Sequence, residues 1–95
     1  MPMFIMKGKY SQHALDSVSP SRTKKVEHLI ARFGGAIKAM YALLGEDDLF
    51  IVVELPSVED ALKVSISMAK LTGISFSTAP AISVDDFDVF AQTEE

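Results

Sequence analysis

Residues 39–56 read AMYALLGEDDLFIVVELP, which is two apolar runs joined by a short acidic turn. Gly45 begins this turn, and three consecutive carboxylates, Glu46, Asp47 and Asp48, follow it. Two apolar runs separated by a glycine-containing turn are typical of a β-hairpin. The pattern predicts strands over 36–44 and 48–55. The second run is almost entirely apolar, so we expect both of its faces to be covered.

A strand and a helix are predicted on the N-terminal side of the hairpin. Residues 3–10 are compatible with a first strand, and the polar, turn-prone residues 11–21 are predicted to form a loop. Pro20 suits the first turn of a helix, and the glycines at 34–35 suit its end. Between them, four apolar residues recur on one helical face: Val26, Leu29, Ile30 and Phe33.

A second helix and a fourth strand are predicted on the C-terminal side. Pro56 ends the third strand, Ser57 and Asp60 resemble a capping box, and Gly73 ends the helix. We expect strand 74–82, with Pro80 at a sheet edge or strand end, then a short helix over 83–90 and a frayed tail over 91–95. The predicted buried stripe of the second helix is Val58, Ala61, Leu62, Ser65, Ile66 and Ala69.

The predicted order of elements is β-α-β-β-α-β with a short C-terminal helix, an α+β, ferredoxin-like fold. Right-handed crossovers place both main helices on one face of a four-stranded antiparallel sheet. The chain has 95 residues, which fits a single domain over 1–95. The other face of the sheet is therefore expected to be open.

Apolar residues occur on both faces of the first two predicted strands. On the first strand the faces are Phe4, Met6 and Tyr10 against Met3, Ile5, Lys7 and Lys9. On the second they are Ile37, Ala39, Tyr41 and Leu43 against Ala36, Lys38, Met40, Ala42 and Leu44. An open sheet face with this much apolar surface predicts an interface. We expect a homodimer that pairs sheet against sheet, or a higher assembly built from it.

Composition argues against several classes of function. The net charge is −4 and the isoelectric point is about 5.0, which disfavours a nucleic-acid binder. The sequence has no cysteine, which excludes disulfides and thiolate chemistry. The N-terminus lacks the features of a leader peptide, and no apolar run approaches the ~20 residues of a membrane helix. We therefore expect a cytoplasmic protein without a membrane partner.

Three stretches resemble the GYD family of small proteins, within the dimeric α/β-barrel superfamily. They are SPSR at 19–22, GGAIKAMYALLGEDD at 34–48 and STAPAISVDDF at 77–87, and together they span almost the whole chain. The family is named for a Gly-Tyr-Asp-like element at the hairpin. Here Gly45 and Asp48 match this element, and Asp47 replaces the tyrosine.

The resemblance implies a ferredoxin-like subunit that pairs with a second one to form a dimeric α/β barrel. Relatives in the superfamily include cofactor-free monooxygenases and the ligand-sensing domains of feast/famine transcription regulators, which have a similar glycine-to-aspartate turn. A small-molecule cavity without a cofactor is therefore expected by analogy, and no catalytic residue is carried over.

Four residues are candidates for ligand binding. Lys7 and Lys9 project from one face of the first strand, where they would place positive charge at the mouth of an apolar cavity suited to a carboxylate or enolate. Tyr41 would stack on a ligand or donate a hydrogen bond to it, and His13 lies in the first predicted loop. In the alternative interpretation, the lysines reach into solvent, Tyr41 is a core residue and His13 is incidental. His28 is expected to face solvent.

The acidic turn is predicted to be structural. Ca²⁺ and Mg²⁺ need six or more oxygen ligands, and this turn lacks spaced ligands, so no metal site is predicted. Asp48 is expected to accept hydrogen bonds from turn amides. Three function classes remain: a small-molecule-binding or sensing module, which we rank first, a cofactor-free monooxygenase or isomerase, and a structural protein without a ligand.

Overall fold

A computed structural model describes residues 1–93 of the chain. The predicted β-α-β-β-α-β order is confirmed, and one further helix, α1, lies before the first main helix. The elements follow in the order β1 (Met3–Tyr10), α1 (Gln12–Asp16), α2 (Pro20–Arg32), β2 (Ala36–Ala42), β3 (Leu49–Glu54), α3 (Val58–Thr72), β4 (Ile74–Ala81) and α4 (Val84–Thr93).

The four strands form one sheet in the order β2-β3-β1-β4, and each neighbouring pair is antiparallel. This is the α+β, ferredoxin-like arrangement that was predicted. Pro80 lies in β4, which is an edge strand, as its missing N–H requires. The core between the sheet and the helices α2 and α3 is formed by Phe4, Met6, Val26, Leu29, Ile30, Ile51, Val53, Leu55, Ala61, Val64 and Met68.

Serine caps fix where both main helices begin. The Ser19 Oγ accepts a hydrogen bond from the Arg22 N–H at 3.1 Å, directly before Pro20. The Ser57 Oγ accepts from the Asp60 N–H at 3.1 Å and donates to the Asp60 Oδ2 at 2.8 Å. The cap predicted at Ser57 and the predicted helix start at Pro20 are therefore confirmed, whereas the cap at Ser19 was not predicted.

The prediction of a loop over 11–21 is wrong in part, because helix α1 lies within it. The Ser11 Oγ caps α1 by accepting from the Ala14 N–H at 3.0 Å. Ala14 is buried, and its carbonyl oxygen accepts a hydrogen bond from the Arg22 guanidinium. That guanidinium also lies over the Tyr10 ring, 5.5 Å from its centroid. A tertiary contact thus stabilises a helix that is too short to form alone.

Helix α3 buries a different face from the one predicted. Ala61 of the predicted stripe is buried, but Val58, Leu62 and Ile66 are more than half exposed. The buried face is Ala61, Val64, Met68 and Thr72, about a quarter turn away. Apolar residues lie on more than one side of α3, so periodicity alone could not choose the side that meets the sheet.

A β-bulge changes the faces of β2. The pairing with β3 shifts between Ile37 and Ala39. Ile37 pairs with Val53 and packs on the core, whereas Ala39 pairs with Val52 on the opposite face. The prediction that Ile37 and Ala39 share a face is therefore wrong, because the extra residue at the bulge breaks the two-residue alternation.

Two further predictions differ from the structure. The C-terminal helix extends to Thr93, so the predicted frayed tail over 91–95 is helical over its first three residues, and its last two lie outside the described residues. Strand β3 was predicted to be covered on both faces, but helices cover only one of them within the described chain.

Among residues 1–93, no helix combines the length and the apolar composition needed to cross a membrane.

Candidate functional site

The face of the sheet opposite the helices, called here the open face, has an apolar centre. The register pairs Val52 with both Ile5 and Ala39, and Ile5 with Ala79, so one apolar row crosses all four strands. Val52 and Ile5 are only half-buried, although they lie in the middle of the sheet. Within the described chain, no helix covers this row.

A second row beside it carries the predicted ligand-binding groups. Tyr41 pairs with Phe50, Phe50 pairs with Lys7, and Lys7 pairs with Ser77. Tyr41 and Lys7 are therefore two strands apart, with backbones separated by about 10 Å. Both side chains are exposed. The backbone register places Tyr41 and Lys7 on the same face of the sheet.

The lysines line a shallow depression at one end of the open face. It has a volume of about 170 Å³ and is lined by Lys7, Lys9, Asp47, Ser75, Phe76 and Ser77. Two ammonium groups face one carboxylate there, and two serine hydroxyls supply neutral hydrogen-bonding groups. This set of groups can hold a small anion beside apolar surface. Asp47 thus lies next to the lysines.

Asp48 connects the hairpin turn to the centre of the sheet. Its Oδ2 accepts a hydrogen bond from the Tyr10 N–H at 2.9 Å, and its own N–H donates to the Gly8 carbonyl oxygen at 2.8 Å. The prediction that the carboxylate bonds turn amides is wrong, because it reaches the end of β1 instead. Gly45 has a φ of +152°, a conformation that favours glycine.

The turn carboxylates are not arranged for metal binding. Among residues 1–93, no group of three or more histidine and acidic side chains is close enough to hold a metal ion. Asp48 bonds β1, Asp47 lines the depression with the lysines, and Glu46 is exposed. Each of the three carboxylates has a different environment.

The structure separates His13 from the other three candidates. His13 lies on α1 and lines a different depression, of about 230 Å³, with Arg22, Lys25 and Thr72 among its other residues. These partners belong to α2 and α3, whereas Lys7, Lys9 and Tyr41 lie on the open face of the sheet. His28 is exposed, as predicted.

Sequence reasoning missed several residues of the open face. Phe50 and Val52 form its centre with Ile5, and alternation along β3 could have identified them. At the far end of the face, Lys38 forms a salt bridge with Glu54, with 3.7 Å between Nζ and Oε1. That pair could not be predicted, because Lys38 lies at the bulge.

Several solved structures have a similar fold. A transcriptional regulator superposes with a TM-score of 0.66 at 10% identity, over 87% of this chain and 51% of its own. The leucine response regulatory protein of Mycobacterium tuberculosis gives 0.57 at 8% identity, over 86% and 51%. An AsnC family transcriptional regulator from Agrobacterium tumefaciens gives 0.57 at 17%, over 86% and 50%. The chain spans about half the length of each regulator, and at these identities the likeness shows the fold alone.

The sequence itself identifies a family. No functionally curated protein matches it. The family model described as "GYD domain", however, matches residues 4–91, which include both main helices and, apart from Met3, all four strands. The resemblance drawn from the hairpin and its flanks is therefore confirmed, and this chain belongs to the GYD family.

Proposed function

We propose that this chain is a subunit of a homodimer that binds a small anionic or aromatic molecule at the open face and acts as a sensing module. The observation that carries the proposal is the composition of that face. An uncovered apolar row lies directly beside a row that carries Tyr41 and Lys7. Apolar surface with a few convergent polar groups is typical of ligand sites.

The apolar row supports the pairing of two subunits. Contiguous exposed apolar surface is costly in water, and it commonly marks an interface. A two-fold axis through the row would place Ile5 and Val52 of one subunit against the same residues of its partner. The charged groups at the ends of the face, such as Lys7 and Glu54, would then border the contact.

The lysine end of the face supports an anionic ligand. Lys7 and Lys9 supply two positive charges against the single carboxylate of Asp47, so the depression carries net positive charge. In a dimer, this region would lie at the border of the contact, where the partner's sheet would reduce its exposure to water and so strengthen an ion pair. The exposed ring of Tyr41 would stack on an aromatic ligand.

The likeness to transcriptional regulators supports a regulatory role by analogy. Because fold does not fix function, this analogy supports the proposal and does not carry it. The monooxygenase or isomerase alternative needs an acid-base pair such as His13 with a cavity tyrosine. Within the described chain, His13 and Tyr41 lie on different surfaces. The sensing module therefore remains our proposal.

Sedimentation equilibrium tests the dimer. The wild-type protein is expected to sediment as a dimer at micromolar concentration. Val52→Lys places a charge in the centre of the apolar row and is expected to give monomers, because a buried unpaired charge costs several kcal/mol. The control is Val18→Lys, which changes an exposed valine between α1 and α2. A monomeric wild type, or a Val52→Lys variant that stays dimeric, would contradict the proposal.

Two measurements test the ligand site. Native mass spectrometry of protein purified from its source is expected to show a retained small molecule. Titration with anilinonaphthalene sulfonate, an aromatic anion, is expected to be saturable, and Lys7→Ala should weaken binding by about tenfold, which corresponds to ~1.4 kcal/mol. The control is Lys24→Ala, an exposed lysine on α2. Equal affinities of the two variants would remove Lys7 from the site.

A further inference from the structure

The polar depression that contains His13 lies on the helix side of the sheet, where the start of α2 meets the end of α3. It has a volume of about 230 Å³, and its charged lining residues are Arg22 and Lys25. No acidic residue within the described chain lines it. The depression therefore carries net positive charge, although the whole chain has a net charge of −4.

Neither cation of this depression has a carboxylate partner within residues 1–93. The only salt bridge among those residues joins Lys38 to Glu54, in the sheet. The acidic residue of α1, Asp16, accepts a hydrogen bond from a glutamine of its own helix at 3.0 Å. Glu27 follows Lys25 by two residues, so it lies about 160° away around α2. A cavity that is lined by cations without carboxylates attracts anions from solution.

The guanidinium of Arg22 is already ordered. Its Nη1 donates to the Ala14 carbonyl oxygen, and the group lies over the Tyr10 ring, 5.5 Å from the ring centroid. That hydrogen bond uses one of the five N–H donors of a guanidinium, whose planar fork suits two oxygens of a phosphate. A side chain that is ordered before binding loses less conformational entropy when a ligand arrives.

Side chains, rather than the end of α2, supply the recognition groups. At the start of α2, Pro20 has no N–H, and the N–H groups of Arg22 and Thr23 already donate to Ser19, to its Oγ and its carbonyl oxygen respectively. The Ser21 Oγ, in contrast, has no hydrogen-bond partner within residues 1–93. Two cations with a hydroxyl donor suit a phosphate dianion, which has three strong acceptor oxygens.

A second depression adjoins the first one between α2 and α3. It has a volume of about 340 Å³, and its apolar lining residues are Leu29, Phe33 and Leu71. Leu71 also lines the polar depression, and Leu29 follows Lys25 by one helical turn, about 6 Å. Together the two depressions form what we call the α2–α3 groove, with a cationic end and an apolar part.

The charges along the rest of this groove are also favourable to an anion. The charged residue that lines the apolar part is Arg32, another cation. On the facing side of α3 the nearest carboxylate is that of Asp60, seven residues before Ser67, or about 10 Å along the helix. Asp60 accepts a hydrogen bond from Ser57 at 2.8 Å. Lys70, in the last turn of α3, offsets the partial negative charge of that helix end.

We propose that the α2–α3 groove binds a phosphate monoester whose organic part is apolar. The phosphate lies between Arg22 and Lys25, and the apolar part extends past Leu71 toward Leu29. The volume of the polar depression corresponds to about seven water molecules of ~30 Å³ each, which suits a phosphate group. This site lies on the helices, so it is separate from the open face and does not rest on the function proposed above.

Isothermal titration calorimetry tests both parts of the groove with inorganic phosphate and phenyl phosphate as probes. Saturable binding is expected for both, and phenyl phosphate should bind at least tenfold more tightly because its ring buries apolar surface beside Leu71. Phenol, which lacks the phosphate, should not bind at the same concentrations. Absence of saturable phenyl phosphate binding, or an affinity no greater than that of inorganic phosphate, would overturn the proposal.

Three lysine variants show where phenyl phosphate binds. Lys25→Ala is expected to weaken its binding at least tenfold. The control is Lys24→Ala, an exposed lysine of the same helix that lines neither depression, and it should change the affinity less than twofold. Lys7→Ala should also leave the affinity unchanged. Loss of binding in Lys7→Ala but not in Lys25→Ala would place the probe at the open face and overturn this proposal, while supporting the function proposed above.

A matched pair of leucine variants tests the groove without removing a cation. Leu71→Glu places a carboxylate where the two depressions meet, so it should weaken phenyl phosphate binding at least tenfold. Leu62→Glu is the control, because Leu62 is exposed on the same helix and lines neither depression. Equal affinities of the two variants would contradict the proposal.

Nuclear magnetic resonance locates the probe in the wild-type protein. Phenyl phosphate is expected to shift the backbone amide signals of Ser21, Lys25 and Leu71, which line the groove. The amide signals of Lys7 and Ser77, on the open face, should stay in place. Shifts confined to Lys7 and Ser77 would overturn the proposal.

Discussion

The carboxylate of Asp48 accepts a hydrogen bond from the backbone N–H of Tyr10 at 2.9 Å, across 38 positions of sequence. This bond holds the central hairpin turn against the end of β1, beyond the last backbone pairs between β1 and β3. The acidic turn therefore stabilises the fold through the carboxylate of Asp48.

Replacement of Asp48 by alanine is expected to lower the free energy of unfolding by about 1–2 kcal/mol, because a charged acceptor is lost and the Tyr10 N–H is left without it. Urea denaturation measures this change. Glu46→Ala is the control, since Glu46 is exposed in the same turn and should change stability by less than about 0.5 kcal/mol. Equal stability of the two variants would contradict the structural role of Asp48.

The buried hydroxyl of Thr72 gives a second prediction. Its Oγ1 donates to the Met68 carbonyl oxygen at 2.7 Å and accepts from the Ile74 N–H at 3.1 Å. Thr72→Val keeps the shape but removes both bonds, so it should destabilise the protein by about 1–3 kcal/mol. Thr72→Ser keeps the hydroxyl and should cost less. Thermal unfolding compares the two, and a less stable serine variant would argue against the hydrogen bonds as the cause.

The two faces of α3 predict opposite outcomes for truncation to alanine. Met68→Ala should lower the free energy of unfolding by about 2–5 kcal/mol, because Met68 is fully buried in the core. Leu62→Ala should cost less than about 0.5 kcal/mol under conditions where the protein is monomeric, because the side chain of Leu62 is more than half exposed. Chemical denaturation at low protein concentration measures both. If only Leu62→Ala lowered the free energy of unfolding strongly, the buried face of α3 would be the one predicted from periodicity.

The Arg22 guanidinium is expected to hold α1 in place. Arg22→Ala removes both its hydrogen bond to the Ala14 carbonyl oxygen and its stacking on Tyr10, so amide exchange in α1 should become faster. Arg22→Lys should not restore protection, since an ammonium lacks the planar fork of a guanidinium. Lys25→Ala serves as the control. Unchanged exchange at Ala14 in the Arg22→Ala variant would show that α1 forms without this contact.

Much of the candidate site could be predicted from local alternation. Lys7 and Lys9 lie two residues apart on an unbroken strand, so their shared face follows from the period of a β-strand. Tyr41 lies on the same face only because the bulge shifts the register after Ile37. Without the bulge, Tyr41 and Ile37 would have shared a face. That shift depends on how β2 pairs with β3, and no pattern within the sequence of β2 predicts it.

The sequence by itself determined the order of the four strands, the two main helices and the C-terminal helix, the cap at Ser57 and the family. These depend on signals within a few residues, such as Ser57 with Asp60 or Pro20 after Ser19, which act on the nearest backbone groups. The hairpin at 39–56 was predicted in the same way, from two apolar runs and a turn. Local chemistry was sufficient for each of these features.

Only the tertiary structure decided which surfaces are buried and which remain available. It selected the Val64 and Met68 side of α3, placed α1 against Tyr10 through Arg22, and separated His13 from the open face. Each of these outcomes depends on contacts between residues far apart in sequence. Ordering these residues lowers the conformational entropy of the chain, and this loss is offset only when the whole core forms. The contacts therefore cannot be derived from periodicity alone.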